Sequence, residues 1–103
     1  RIEDRCPMMP YSARVIVLTP GKSVPLCEYS KPVQTVTIAA FPDNTNVVYV
    51  GGPSVRARIG EQNGLPVNGG TRPDMWTWPD VDLSAIWIDA VTANEGVSFL
   101  AWY

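Results

Sequence analysis

The sequence has no histidine and few charged residues, and these two absences bear on its function. Without histidine, the usual general base, the usual partner in a catalytic triad and the commonest metal ligand are all missing. Charged residues make up 17% of the chain, against about 25% in typical soluble domains. A small domain with so few charges must expose apolar area or cover it with a partner.

The sequence also lacks a basic patch and a long apolar run. Its eight basic residues are scattered and the net charge is −2, so we predict neither a nucleic-acid partner nor a membrane partner. Arg56 and Arg58 lie close together, but two charges do not form a track for phosphates. No apolar stretch approaches the ~20 residues that a membrane-spanning helix needs.

The remaining reactive side chains favour structural roles over catalysis. Lys22 and Lys31 lie among Pro, Gly and Ser in polar loops, where an amine stays protonated. Asp80 and Asp82 have a spacing that suits Ca²⁺, yet Asp in such a stretch more often forms a turn. The glycine pairs fit no phosphate-binding spacing. We therefore predict no catalytic residue, no metal site and no cofactor, and a protein that is not an enzyme.

The two cysteines, Cys6 and Cys27, leave two alternatives open. One pair is not the disulfide framework of a small secreted domain, and two thiolates without histidine do not complete a zinc site. In the first alternative, which the pattern favours, both thiols are unpaired. In the second, a disulfide bridge ties the N-terminal segment to the region around Leu26.

Ten prolines and eight glycines interrupt the chain at short intervals, which excludes long helices. The segments between them are rich in Val, Ile, Thr, Tyr and Trp, which suits half-buried strands. This pattern predicts an all-β fold, a small antiparallel sandwich or barrel of jelly-roll or immunoglobulin-like size. The predicted strands are Ala13–Leu18, Gln34–Ala40, Asn46–Val50, Val55–Ile59, Ala85–Ala90 and Val97–Trp102, with edge pieces near Val24–Glu28 and Met75–Trp78.

Alternation assigns faces to several of these strands. In the last strand, Val97, Phe99 and Ala101 share one face, while Leu100 and Trp102 share the other. We expect this strand to form a hairpin with Ala85–Ala90, with Asn94 or Gly96 at positive φ in the loop. The segments Arg14–Leu18 and Val47–Val50 are apolar on both faces, which predicts that at least one face contacts another subunit.

Residues 1–12 form an extended, Pro-rich N-terminal arm in this interpretation, and residues 13–103 form one sandwich domain. The arm has no periodic pattern, but it carries Met8, Met9 and Tyr11, which can anchor it. Two alternatives stay open: the arm packs along its own domain, or it reaches a neighbouring subunit.

The aromatic residues give the best candidates for a binding surface. Trp76 and Trp78 are two apart between Pro73 and Pro79, so their rings face the same way on an edge segment. They can serve a protein interface, the protein's own core or a sugar-stacking platform. Because Trp and Met are enriched at interface centres, the predicted interface residues are Met75, Trp76, Trp78 and Trp102, together with Met8, Met9 and Tyr11 of the arm.

Three stretches of the C-terminal half resemble small β-rich virion proteins of tailed bacteriophages. They are Asn46–Val55 (NVVYVGGPSV), Asn63–Val67 (NGLPV) and Asp82–Ala90 (DLSAIWIDA), and Val33–Ala40 matches the strand that precedes them. The resemblance covers residues 21–103 and rests on structural residues, so it implies a fold and a setting but no catalytic group. Two departures are the arm and the tryptophan-bearing segment Gly70–Pro79.

The resemblance implies a capsid decoration or cement subunit, made in the host cytoplasm and located on the virion. Its partners would be the major capsid protein or other virion proteins, and copies of itself, with a homotrimer favoured. A receptor- or carbohydrate-binding module that uses a tryptophan platform is the main alternative. A secreted or toxin-like β domain held by a Cys6–Cys27 bridge is a third.

Overall fold

The computed structural model describes residues 9–58 and 60–103, and these form a β-sandwich of two four-stranded antiparallel sheets. The strands are β1 Pro10–Val17, β2 Val24–Pro25, β3 Pro32–Ala40, β4 Val48–Gly51, β5 Leu65–Val67, β6 Met75–Asp82, β7 Trp87–Ala90 and β8 Glu95–Trp102, with a 3₁₀ turn at Leu83–Ala85. Sheet A has the order β1-β8-β3-β6 and sheet B the order β2-β7-β4-β5. The predicted all-β sandwich is confirmed.

The core lies between the sheets and consists of the inward residues of both. Val36 and Ile38 of β3, Val97 and Phe99 of β8, and Ile88 of β7 are among the side chains buried there. The facing predicted for β8 is correct, since Val97, Phe99 and Ala101 are buried whereas Leu100 is exposed. Burial of apolar area of this kind supplies the main favourable contribution to folding.

The predicted hairpin between Ala85–Ala90 and Val97–Trp102 is wrong. β7 lies in sheet B between β2 and β4, whereas β8 lies in sheet A between β1 and β3. Asn94 takes a positive φ of 68°, as expected, but the loop carries the chain from one sheet to the other. Gly96, within β8, lets this strand approach β1 closely, because a Cβ there would collide with the Val15 carbonyl oxygen.

Two other strand predictions need correction. The segment Val55–Ile59 is not a strand: Arg56 forms an isolated bridge to Asn63, and Ile59 lies outside the described residues. Leu65–Val67 is a strand despite Pro66, since it pairs with β4 at the edge of sheet B, where a missing N–H is tolerated.

The boundary predicted for the N-terminal arm also shifts. Pro10, Tyr11 and Ser12 belong to β1 and pair with β8, and Met9 exchanges two backbone hydrogen bonds with Tyr103. The part of the proposed arm that remains, residues 1–8, lies outside the described residues.

Candidate functional site

The outward side of sheet A is a broad, nearly uncharged surface, which we call the outer face. Residues directly opposite each other in an antiparallel sheet point to the same side, so the strand register gives the rows of this face. They are Pro10, Trp102, Thr35 and Pro79; Ser12, Leu100, Thr37 and Thr77; and Arg14, Ser98, Ala39 and Met75. All twelve side chains are exposed or half-buried, and Arg14 alone among them is charged.

The outer face combines apolar side chains with short hydroxyl side chains. Leu100 near its centre is 41% exposed and Met75 at the β6 edge is 66% exposed. The Thr37 and Thr77 hydroxyls satisfy each other at 2.9 Å. The guanidinium of Arg14 lies 4.5 Å from the centre of the Phe41 ring, so part of its charge is directed toward an aromatic partner. Such a surface can be desolvated by a protein partner at low cost.

A second feature is an apolar groove of about 660 Å³ on one side of the sandwich, between β6 and the end of β4 with β5. Trp78, Val81, Ala85 and Ile86 line it from one side. Val50, Leu65 and three glycines, Gly51, Gly52 and Gly64, line it from the other. A volume of this size falls in the range of ligand-binding clefts, about 300–1,000 Å³.

Trp76 and Trp78 lie on the groove side of β6 and stack on each other. Their ring centres are 6.4 Å apart with planes inclined by 29°. Trp78 packs against the core, while Trp76 is 44% exposed. Asp80 has a φ of 48°, and this left-handed residue interrupts the alternation of β6. Trp78 and Val81, three residues apart, therefore both line the groove.

Asp82 is the acidic residue of the groove, and its carboxylate is fully engaged. It accepts hydrogen bonds from the Ser30 hydroxyl, the Lys31 N–H, and both the N–H and hydroxyl of Ser84. The Ser30 hydroxyl, followed by these other donors, lowers the pKa of Asp82 well below its ordinary range. The prediction that Asp in this segment forms a turn is confirmed, because Asp82 caps the 3₁₀ turn.

Two further acids, Asp89 and Glu95, are buried, and neither was predicted to have a role of its own. Asp89 is fully buried and accepts the N–H groups of Gly21, Ala57 and Ala90, which fixes two loops against sheet B. Its position between apolar neighbours in β7 is the signal that could have revealed it.

Glu95 at the start of β8 holds the loop that leads into β4. It accepts hydrogen bonds from the N–H and hydroxyl of Thr45 and from the Asn46 N–H. Burial of Glu95 disfavours its charged form, but these hydrogen bonds outweigh burial and lower its pKa.

The predicted interface residues do not form one surface. Met75 and Trp102 lie on the outer face, Trp76 and Trp78 lie on the groove side of β6, and Met8 is outside the described residues. Met9 is half-exposed at the β1 edge of sheet A.

Tyr11 points inward instead. Its ring packs 5.7 Å from Phe99 and 6.5 Å from Tyr103, and the Lys31 ammonium lies 3.6 Å from the centre of the Tyr103 ring. Tyr11 therefore packs against the protein's own core and not on the outer face.

Cys27 is buried and is a free thiol in the described part of the chain. Cys6 lies outside that part, so the choice between unpaired cysteines and a bridge stays open. Among residues 9–58 and 60–103, no three acidic or cysteine side chains gather in a way that could hold a metal ion. The same residues contain no helix long and apolar enough to cross a bilayer.

Comparison with known proteins returned no match: no protein family, no curated protein and no solved structure is significantly similar to this chain.

Proposed function

We propose that this protein is a non-enzymatic structural subunit that binds other protein subunits through the outer face of sheet A. The observation that carries the proposal is the chemistry of that face: twelve side chains, exposed or half-buried, with one charge among them. Apolar residues with few charges are typical of the centre of a protein interface. The chain has no histidine for acid–base catalysis, which also favours a binding role.

The size of the outer face indicates how such a subunit would act. Four strands about 4.8 Å apart and six residues about 3.4 Å apart give a face of about 400 Å². A stable interface buries about 800 Å² per partner. The outer face alone is about half of that, so stable attachment requires several contacts at once. A subunit that bridges neighbouring proteins in a lattice gains them, since each contact raises the effective concentration for the next.

This requirement agrees with the resemblance of residues 21–103 to small virion proteins of tailed bacteriophages. We propose that the assembly is a phage particle, in which the protein serves as a capsid decoration or cement subunit. Its partners would be capsid subunits and further copies of itself, with a trimer favoured. A repeating lattice would offer the several simultaneous contacts that an outer face of this size requires.

Because a face with half the usual interface area associates weakly, light scattering on a sizing column, across a dilution series from about 1 mM down to micromolar, tests the self-association. We expect a multiple of the 11.3 kDa chain mass, reduced to the monomer by Leu100→Glu. Val91→Glu is the matched control, since Val91 is similarly exposed, at 36% against 41% for Leu100, but lies in the loop after β7. A monomer at every concentration, or equal effects of both variants, would refute assembly of copies through the outer face.

A carbohydrate-binding module is the second candidate, and the stacked pair Trp76 and Trp78 favours it. Sugars pack on indole faces, but they also require hydrogen-bonding side chains that fix their hydroxyls. Within the groove, the Asp82 carboxylate is already satisfied by Ser30, Lys31 and Ser84. The groove therefore suits an apolar occupant better than a sugar. A glycan array with a Trp76→Ala control would separate the two functions.

A further inference from the structure

The free edge of β6 presents backbone hydrogen-bonding groups beside the apolar groove. β6 is the last strand of sheet A, and no other strand of residues 9–58 and 60–103 pairs with its outer side. Ala40 donates its N–H to the Asp74 carbonyl oxygen, one pair beyond the β3–β6 ladder and in the same register. This bond identifies which residues of β6 point toward β3, because hydrogen-bonded and non-hydrogen-bonded pairs alternate in an antiparallel ladder.

By that alternation, Trp76 and Trp78 direct their backbone groups toward β3, and Met75 and Thr77 direct theirs away from it. Pro79 agrees with this assignment, because its pair with Thr35 falls at a non-hydrogen-bonded position where no N–H is needed. The segment Met75–Thr77 therefore offers two N–H donors and two carbonyl acceptors to a further strand. Pro79 and Asp80, which has a positive φ, end this pairing surface.

A strand added at this edge would lie about 4.8 Å beyond β6, with alternate side chains on the groove side. Those side chains would stand beside the stacked rings of Trp76 and Trp78. The groove offers them apolar contacts from Val50, Leu65 and Ile86, and its carboxylate, Asp82, is already satisfied. A charged side chain would lose its hydration there without gaining a partner, so the groove selects uncharged apolar groups.

We propose that β6 binds an extended segment of a partner protein as a fifth strand of sheet A, with alternate apolar side chains in the groove. Backbone hydrogen bonds would supply affinity and the groove would supply specificity, as in other cases of strand addition. The segment runs antiparallel to β6, like every other pair in the sandwich. A basic residue at its N-terminal end would lie near the exposed carboxylate of Asp80. This site uses the backbone edge of β6 and the groove, whereas the outer face uses side chains on the opposite side of sheet A, so the inference does not depend on the proposed function.

Two substitutions test the two parts of the site. Gly52 lines the groove, does not adopt a positive φ, and has no atom within 4 Å of the position of a Cβ. Gly52→Leu therefore adds an apolar side chain at the wall of the groove without disturbing the packing. Thr77→Pro removes an N–H that points away from β3, so it leaves the ladder intact and blocks the added strand. Thr71→Leu, in the exposed loop before β6, is the matched control for added apolar bulk.

The probe is the peptide acetyl-Lys-Thr-Leu-Thr-Leu-Thr-amide, titrated into the ¹⁵N-labelled protein and followed by NMR. We expect saturable shifts of the Met75 and Thr77 amides and of the Trp76 and Trp78 indoles, together with slower amide hydrogen exchange at Met75 and Thr77. Gly52→Leu should weaken binding by about tenfold, because burial of a leucine-sized side chain is lost. Thr71→Leu should leave binding unchanged.

Several results would overturn the proposal. The first is that binding does not saturate at millimolar peptide. The second is that a peptide with Glu in place of both Leu residues gives equal shifts, and the third is that Gly52→Leu binds the peptide as tightly as the unchanged protein. Protection of the Met75 and Thr77 amides that rises with protein concentration, without peptide, would show that a second copy occupies the edge. If Thr77→Pro fails to fold, the backbone assignment is wrong, while Gly52→Leu and the Glu peptide still decide the groove.

Discussion

Replacing Asp89 by alanine should destabilise the protein more than any comparable change at an exposed acid. The carboxylate is fully buried and accepts three backbone N–H groups. Two of these donors, on Ala57 and Ala90, belong to buried residues, and each would cost about 1–3 kcal/mol once left without an acceptor. Gly21 is exposed, so water can replace the lost bond there. The expected loss is about 3–5 kcal/mol, a large share of the roughly 5–15 kcal/mol of a typical domain.

Urea unfolding followed by tryptophan fluorescence measures this loss. With a typical slope of about 2 kcal/mol per molar urea, the Asp89→Ala midpoint should fall by about 2 M. Asp43→Ala removes the same charge from an exposed loop residue and should change stability by no more than about 0.5 kcal/mol. A loss below about 1 kcal/mol for Asp89→Ala would refute the reasoning, because two buried N–H groups without an acceptor should lower the free energy of unfolding by more than that. So would equal losses in the two variants.

Three further predictions concern the acids, the glycines and the tryptophans. The pKa of Glu95 is lower in the folded protein than its ordinary value of 4.5, and that of Asp82 is lower than 3.8, so ionisation of both stabilises the fold above those values. The free energy of unfolding should therefore be steady above about pH 5 and fall as the pH drops below about 4. Urea unfolding at a series of pH values measures this fall, and the fall should be smaller in Glu95→Gln. Gly96→Ala should lower the free energy of unfolding by about 1–3 kcal/mol, because its Cβ would meet the Val15 carbonyl. Gly52→Ala should be neutral or slightly stabilising. Equal thermal midpoints for the two variants would contradict the packing argument. Trp78→Ala should lower the thermal midpoint more than Trp76→Ala, since Trp78 packs against the core and Trp76 is 44% exposed.

The sequence alone predicted the fold class and much of the local structure. Alternation placed Phe99 inside and Leu100 outside, and the prolines confined Met75–Trp78 to an edge. It could not predict that β7 and β8 belong to different sheets, because a short loop that ends on a left-handed Asn94 suits a hairpin as well as a crossing. The partner of each strand depends on contacts distant in sequence, which no local pattern encodes.

For the candidate sites too, local features could be predicted from the sequence, whereas their arrangement in three dimensions could not. The pairing of Trp76 with Trp78 on one side of a strand followed from their spacing, and the structure confirms it. The groove beside them depends on Gly51, Gly52 and Leu65, whose segments meet β6 only in three dimensions. The outer face could not be drawn from the sequence for the same reason: its rows cross β1, β8, β3 and β6, which follow a different order along the chain.

The order of strands also has a consequence for biosynthesis. Every connection except β4 to β5 crosses between the sheets, and β1 pairs with β8, from Pro10 opposite Trp102 to Val17 opposite Glu95. During synthesis β1 must therefore wait until β8 has been made before it gains this neighbour. A topology dominated by such distant pairings folds slowly, in about milliseconds to seconds, and leaves β1 and β3 uncovered during translation. During that delay the apolar strands are exposed to other nascent chains, so we expect the yield of folded protein to depend on how quickly synthesis reaches β8.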